Sequence, residues 1–274
     1  MNSKKIFTNN DVYSIDIVSN KIVINDNYEG FIILDSNLNI EKAIKVMDDM
    51  ILYTSYSYTK NNMIVYCCYD TDDPCLVYLD VNTYEFKIVY LEQFKEIVFL
   101  RLYYWDNNEL ILLDYNENEL TLYQVDIQNG TIKKVNHHAA LSEHKTVFDD
   151  WSYLHPYGVY KVYPYIHCAV IEDNGSLHKF DYSTGTKTVL EIERINFHDI
   201  EIGIDSVTQI SQDQVLVWHD GKSISLFPSS DEYSFYRAKL IMITGDEYLV
   251  LLSHSMAKSS LSQIDMYCLS SLFG

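Results

Sequence analysis

The sequence is short of positive charge, and this shortage excludes several classes of partner. Its 274 residues include 20 Lys and Arg against 39 Asp and Glu, which gives a formal net charge of −19. A strongly negative surface repels phosphates, and no basic stretch offsets it, so nucleic acid is not an expected partner. No run reaches the ~18 apolar residues of a membrane helix, so no membrane contact is expected either.

Sequence signatures of catalysis are missing as well. There is no Walker lysine, no glycine-rich dinucleotide fingerprint and no nucleophile elbow. The best metal-ligand candidates are His137, His138 and His144 with Asp149, but adjacent histidines in one loop seldom bind the same ion. We therefore expect a protein that is not an enzyme, with no catalytic residues, no cofactor and no bound metal.

Cysteine usage and the N-terminal residues bear on the cellular compartment. The five cysteines are an odd number and include one adjacent pair, which does not fit a disulfide framework: Cys67, Cys68, Cys75, Cys168 and Cys268. The first residues, 1–7, lead into Thr8-Asn9-Asn10-Asp11 and lack the apolar core of a signal peptide. Both observations predict a reduced, cytoplasmic protein.

What the sequence does contain is a repeated hairpin pattern. Short segments rich in Ile, Val, Leu and Tyr alternate with polar turns, whereas helical periodicity is nearly absent. An apolar segment that ends in Asp and leads into a polar turn recurs at positions 35, 80, 126 and 181, which are 45, 46 and 55 residues apart. An aspartate before a tight turn accepts backbone N–H bonds, and Gly130 and Gly185 allow positive φ. We therefore assign Asp35, Asp80, Asp126 and Asp181 a structural role.

A repeat of about 45 residues with four strands in each is typical of a β-propeller. The whole chain, residues 1–274, resembles that architecture as a single all-β domain. The only Trp-Asp pair, Trp105-Asp106, precedes a strand instead of ending one, so the resemblance is to the architecture and not to the WD40 proteins.

The strand pattern predicts six blades. Blade one has the four strands Val12–Val18, Lys21–Asn25, Phe31–Leu34 and Ile40–Val46. Blades two to five occupy 51–91, 97–135, 151–192 and 204–240. The last blade has only Leu240–Thr244, Tyr248–Ser253 and Gln263–Leu269, and the N-terminal strand Lys4–Thr8 is expected to close it, because closure removes an open sheet edge.

The strand assignment also predicts an acidic face. In a propeller, the loops between the second and third strands of each blade and the loops that link blades emerge on the same side. About half of the acidic residues fall in these loops, including Asp199 and Glu201, and such a one-sign surface favours a cationic partner. The expected partner-binding residues are Asp48, Asp49, Asp70, Asp72, Asp73, Glu117, Glu119, Glu143, Asp149, Asp150, Trp151, Glu172 and Asp173.

One connection is about nine residues longer than its counterparts and spans 136–150. Long loops on rigid scaffolds commonly carry binding sites, and this one ends in Asp149-Asp150-Trp151, a charged pair beside an aromatic anchor. The tyrosines that follow, between 153 and 165, either extend that interface or form an irregular inner strand of blade four.

In general character the chain resembles the immunity proteins of bacterial toxin systems, including contact-dependent growth inhibition. The resemblance rests on size, acidity and the absence of a signal peptide and of catalytic motifs. It implies toxin neutralisation by a nuclease inhibitor that covers the toxin's nucleic-acid-binding cleft, as a monomer in a 1:1 complex. The alternative is a carbohydrate-binding or glycan-processing propeller with a central pocket, for which Arg101, His155 and Asp205 lie near predicted inner strands.

Overall fold

The protein is built almost entirely from short antiparallel strands. The computed structural model describes residues 3–58, 62–70, 73–91, 100–106, 109–116, 119–126, 131–135, 159–163, 168–181 and 184–274. These residues form 24 strands, arranged in six four-stranded sheets, and one short helix, α1 (Leu269–Phe273). The architecture is all-β and of the propeller type, as the hairpin repeat predicts.

Five of the six sheets are meanders of consecutive strands. The first contains β2 (Ile15–Val18), β3 (Lys21–Asp26), β4 (Gly30–Leu34) and β5 (Ile40–Lys45). The second contains β6 (Met50–Tyr58), β7 (Met63–Asp70), β8 (Asp73–Asp80) and β9 (Phe86–Tyr90). The third contains β10 (Leu100–Asp106), β11 (Glu109–Asn116), β12 (Glu119–Asp126) and β13 (Ile132–Val135). The fourth contains β14 (Val159–Tyr163), β15 (Cys168–Asp173), β16 (Ser176–Asp181) and β17 (Thr186–Val189). The fifth contains β18 (Asp199–Ile202), β19 (Ser206–Ile210), β20 (Val215–His219) and β21 (Lys222–Leu226).

The sixth sheet combines strands from both ends of the sequence. Its order is β22 (Tyr233–Ile243), β23 (Asp246–Ser255), β24 (Ser262–Cys268) and then β1 (Ser3–Phe7). The β1 strand runs antiparallel to β24, with Ser3 opposite Met266 and Phe7 opposite Ser262. This pairing confirms the prediction that an N-terminal strand completes the last sheet.

Two predicted strand boundaries near the end of the chain are wrong. The interval 204–240 is not one blade, because β18 begins earlier, at Asp199, and residues 233–243 form one continuous strand, β22, of the sixth sheet. The charges of Asp199 and Glu201 suggested a loop, but both carboxylates are buried beside cations of β22. No turn residue separates Leu240 from Ile241, so nothing ends the strand there.

The recurring aspartates hold the turns between the third and fourth strands. The Asp35 carboxylate accepts backbone N–H bonds from Asn37 and Asn39, both at 2.8 Å. Asp80 accepts the N–H of Asn82 at 2.7 Å, and Asp181 accepts that of Thr184 at 3.1 Å. Burial alone would raise the pKa of Asp35, but the hydrogen bonds that its carboxylate accepts from Asn39 and Asn37 outweigh burial and lower that pKa. The structural role is confirmed at these three positions.

The chain divides into two compact units. Unit one contains Met1–Thr71, Val77–Lys87 and Ile192–Gly274, and unit two contains Asp72–Leu76 and Ile88–Glu191. Within unit one, an apolar core joins the first and sixth sheets, where Phe7 and Ile264 are buried with Ile17 and Ile24. That the chain is a single domain stays a prediction.

All five cysteines are buried free thiols. Within the described residues, no helix has the length and apolar character needed to cross a membrane.

The placement of β1 can be tested with two neighbouring residues. Phe7 is buried at 8% exposure, whereas the Ile6 side chain is 49% exposed. We expect Phe7→Ala to lower the free energy of unfolding by about 3 kcal/mol, because it leaves a cavity in the core of unit one. The control Ile6→Ala should cost less than about 1 kcal/mol. Urea unfolding of both variants checks this, and equal losses would contradict the observed register of β1.

Candidate functional site

Three connections of unit one meet at one edge of the first sheet. They are the β1–β2 connection (8–14), the β3–β4 turn (27–29) and the β5–β6 connection (46–49). The N–H of Val46 donates to the carbonyl of Glu29 at 2.8 Å, and the N–H of Met50 donates to that of Tyr28 at 2.6 Å. The N–H of Asp11 donates to the side-chain oxygen of Asn27 at 3.0 Å. Backbone geometry therefore fixes the three connections against one another.

Asn25 is the centre of this arrangement. Its side chain is fully buried, and its Oδ1 accepts the N–H groups of Tyr13 and Ser14, both at 2.8 Å. Its Nδ2 donates to the carbonyl of Asp11 at 2.7 Å and to that of Asn27 at 2.9 Å. One amide thus satisfies four backbone groups from two connections, which holds both in a single conformation.

Four carboxylates lie on these connections and a fifth, Asp26, at the end of β3 beside them; the other four are Asp11, Glu29, Asp48 and Asp49. We call this set the acidic edge. Burial raises the pKa of Asp26, and the negative charge of Glu29 raises it further. One lysine lies among them, since Lys45 Nζ is 2.5 Å from Asp48 and 3.6 Å from Glu29. The hydrogen bond and charge of Asp48 raise the pKa of Lys45.

A pair of tyrosines lies within the acidic edge. The rings of Tyr13 and Tyr28 stack with their centroids 5.5 Å apart. Tyr28 is 45% exposed, and its hydroxyl donates to Asp11 Oδ2 at 3.1 Å. Burial raises the pKa of Tyr13 to about 12, and its hydroxyl bonds to the backbone of Met50 and Leu52. The edge therefore presents an aromatic surface that is held in place, with the Asp11 carboxylate at the hydroxyl of Tyr28.

A second group of charged side chains joins three first strands of unit one. The inner-strand ion cluster consists of Asp16 on β2, Asp199 and Glu201 on β18, and Arg237 and Lys239 on β22. Lys239 Nζ lies 3.2 Å from Glu201 Oε1 and 3.7 Å from Asp16 Oδ1. Arg237 Nη1 lies 3.5 Å from Asp199 Oδ2.

The three carboxylates of this cluster share two cations, Arg237 and Lys239. Burial works against the charge of Lys239, but the carboxylates of Glu201, Asp16 and Asp199 outweigh it and raise the pKa of the lysine. All three carboxylates are buried. We interpret the cluster as a structural link between three sheets, because each of its buried carboxylates lies within 4 Å of a cation from a different sheet.

The structure places the described members of the predicted binding set at strand ends and connections. Asp48 and Asp49 are exposed in the β5–β6 connection and belong to the acidic edge. Asp70 ends β7 and is paired with Met50, so its backbone lies beside the same connection. Asp73 begins β8, and Glu119 begins β12.

The turn between β15 and β16 carries two further members. Glu172 and Asp173 form the end of β15 and are half-buried. Asp173 forms an ion pair with Lys187 of β17, and the hydrogen bond from that lysine lowers the pKa of Asp173. Because it is paired, Asp173 contributes less to a negative surface than its sequence position suggests.

Six residues of the predicted set lie outside the described residues: Asp72, Glu117, Glu143, Asp149, Asp150 and Trp151. The histidines at 137, 138 and 144 and His155 lie outside them too. In the part of the chain that is described, no three His, Cys, Asp or Glu side chains are grouped so as to hold a metal ion.

Sequence reasoning misplaced two acids and missed three residues of the edge. The prediction that Asp199 and Glu201 belong to an acidic loop face is wrong, because both lie on β18 and are buried in the ion cluster. Asn25 was assigned only to a strand, and Asp11 and Tyr28 were not selected. Their signal was local: an Asn at the end of an apolar strand, followed by Asp-Asn-Tyr, is typical of a turn that side-chain amides organise.

The sequence matches no protein-family model and no curated protein. Among solved structures, the chain is similar to TolB from Acinetobacter baumannii, with a TM-score of 0.43 and 10% identity over 96% of this chain and 63% of that one. It therefore spans less than two thirds of the TolB chain. It is also similar to the AfRom2 CNH domain, with a TM-score of 0.49 and 7% identity over 97% of this chain and 99% of that one.

The role of Asn25 gives a first prediction for this site. Asn25→Asp keeps an acceptor for Tyr13 and Ser14 but loses both donors and buries a charge. We expect it to lower the free energy of unfolding by about 2 kcal/mol or more. Asn20→Asp, in the exposed β2–β3 turn, is the control and should change stability by less than about 1 kcal/mol. Thermal unfolding checks both, and an unaffected Asn25→Asp variant would contradict the hydrogen-bond assignment.

The ion cluster gives a second prediction. Lys239→Met leaves two buried carboxylates uncompensated and should cost about 3 kcal/mol at neutral pH. The pKa of Lys239 is raised above its ordinary 10.5. The stabilisation that its charge provides is therefore fully present below pH 10.5 and is lost as the pH rises through the raised pKa. The stability difference between wild type and variant should therefore shrink only at alkaline pH. Urea unfolding between pH 7 and 11 measures it, with exposed Lys258→Met as the control.

Proposed function

We propose that this chain is a non-enzymatic, protein-binding propeller that captures a basic protein through its acidic edge. The observation that carries the proposal is the combination of five carboxylates, one lysine and an exposed stacked tyrosine on three connections that hydrogen bonds lock together. We further propose that each of the six sheets is one blade, with β1 completing the sixth.

Three physical features support capture of a cationic partner. Carboxylates concentrated on one edge of a chain with a net charge of −19 attract positive surfaces and accelerate association. Tyrosine is enriched among the residues that dominate binding energy, and its ring face also attracts cations. The buried Asn25 network fixes the connections before binding, so less conformational entropy is lost when the complex forms.

In its most specific form, the proposal is that the partner is a nuclease toxin domain and the chain its cytoplasmic immunity protein. A nuclease must present a positive cleft to bind phosphates, and an acidic protein with a rigid edge complements such a cleft. Neutralisation then requires only that a 1:1 complex covers the cleft. The net charge of −19 supports this form of the proposal.

Charge reversal tests the acidic edge. The tagged protein is first used at low salt to capture partners from its own cells, and captured proteins are identified by mass spectrometry. The variant Glu29→Lys/Asp48→Lys/Asp49→Lys should then reduce the association rate of the captured protein by about tenfold or more, because steering is lost. The control Glu85→Lys/Asp213→Lys/Asp246→Lys changes the net charge equally at exposed positions on other turns.

The salt dependence distinguishes this proposal from the carbohydrate-binding alternative. Electrostatic capture weakens steeply as salt rises above about 0.15 M, whereas a neutral sugar in a pocket responds little. A captured partner that is acidic, or one whose association rate is the same for both variants, would overturn the proposal. Capture of a basic protein without nuclease activity would support binding through the acidic edge but would contradict the proposal that the partner is a nuclease toxin.

A further inference from the structure

The lysines of this acidic protein are concentrated on one kind of strand. The fourth strand of each sheet is the one farthest from the first strand in the strand order, and we call these six the outer strands: β1, β5, β9, β13, β17 and β21. Their 29 residues contain nine of the 17 lysines and a single acidic residue, Glu41. The second and third strands of all six sheets contain only Lys21 and Lys179.

These lysines face solvent. Eight of the nine are exposed, and Lys5 is half-buried: the exposed ones are Lys4, Lys42, Lys45, Lys87, Lys133, Lys134, Lys187 and Lys222. Exposed apolar side chains accompany them on the same strands, namely Ile6, Ile40, Phe86 and Val189. A sheet edge that exposes apolar side chains is a template onto which another strand can add.

The first strands and the outer strands of the sheets have different surroundings. In unit one, the first strands β2, β18 and β22 contact one another through the inner-strand ion cluster. Within the described part of the chain, each outer strand pairs with one neighbouring strand and carries positive charge instead. Because every outer strand has the same sign, two copies of this chain that approach edge to edge bring lysines against lysines, which is unfavourable.

We propose that the outer strands are lysine-guarded edges that prevent copies of this chain from pairing and accept an extended acidic segment of another protein. An acidic strand added to such an edge gains backbone hydrogen bonds and opposite-charge pairs at once. The lysines already reach carboxylates within the chain, since Lys45 binds Asp48 and Lys187 binds Asp173. The outer strands share only Lys45 with the acidic edge. This inference does not depend on the proposed function of the acidic edge.

A pair of variants with identical net charge tests the guarding role. Lys42→Thr/Lys133→Thr/Lys134→Thr removes three outer-strand lysines and keeps a residue that suits strands. The control Lys179→Thr/Arg194→Thr/Lys258→Thr removes three cations located elsewhere. Both variants are more negative than the wild type, so general charge repulsion predicts less association for both. We expect the outer-strand variant alone to self-associate, with at least a doubling of the weight-average mass in sedimentation velocity.

Salt gives an independent readout on the wild type. Raising the salt from about 0.05 M to 0.5 M screens the lysines and should increase self-association of the wild type. Self-association of the wild type that falls with salt would instead indicate contact between the acidic edge of one copy and the lysines of another. That result, or equal masses for the two variants with circular dichroism showing both folded, would overturn the guarding role.

The docking of an acidic segment can be tested with a variant of this chain whose own outer strands are made acidic. The variant Lys42→Glu/Lys133→Glu/Lys134→Glu should remain unassociated alone, yet form a mixed species with the wild type that high salt dissolves. Hydrogen exchange should then slow at the backbone amides of Ile40–Lys45 in the mixture. No mixed species, or one that protects only 46–49, would overturn the proposed docking of an acidic strand.

Discussion

The ion pairs of Lys239 with Asp16 and Glu201 connect parts of the sequence that no hairpin could connect. Asp16 belongs to the first sheet, Glu201 to the fifth and Lys239 to the sixth, so one ammonium group lies between three sheets. Sheets formed from local hairpins are held internally by their own hydrogen bonds, whereas their mutual arrangement depends on contacts of this kind. The shared core around Phe7 and Ile264 joins the first and sixth sheets as well, so both an ion pair and apolar packing connect these two sheets.

The local part of this fold could be predicted because its signals are local. An Asp followed by a polar turn marks each hairpin at Asp35, Asp80 and Asp181, and the aspartate itself makes the bonds that define the turn. The role of β1 followed from a shortage of strands in the last sheet, which is an argument about unpaired backbone and needs no knowledge of tertiary contacts. Both inferences used information that lies within a few residues or in the strand count.

The parts that could not be predicted depend on long-range compensation. Asp199 and Glu201 look like loop residues until Arg237 and Lys239 are known to face them, because a buried carboxylate is unfavourable unless a cation pairs with it. The same holds for the acidic edge. Asn25, Asp11 and Tyr28 acquire their roles only when the connections that carry them meet. Inspection of charge along the sequence therefore selects Asp48 and Asp49, but not the residues that hold the edge together.

The composite sheet imposes an order of events on the nascent protein. Of the described strands, β1 is synthesised first and its partner β24 last. The five meanders can form during synthesis, whereas β1, with its apolar residues Ile6 and Phe7, has no pairing partner until β24 has been made. Lys4 and Lys5 precede those residues directly, and their charge opposes premature pairing of the waiting strand. The sixth sheet is therefore complete only after β24 has been made.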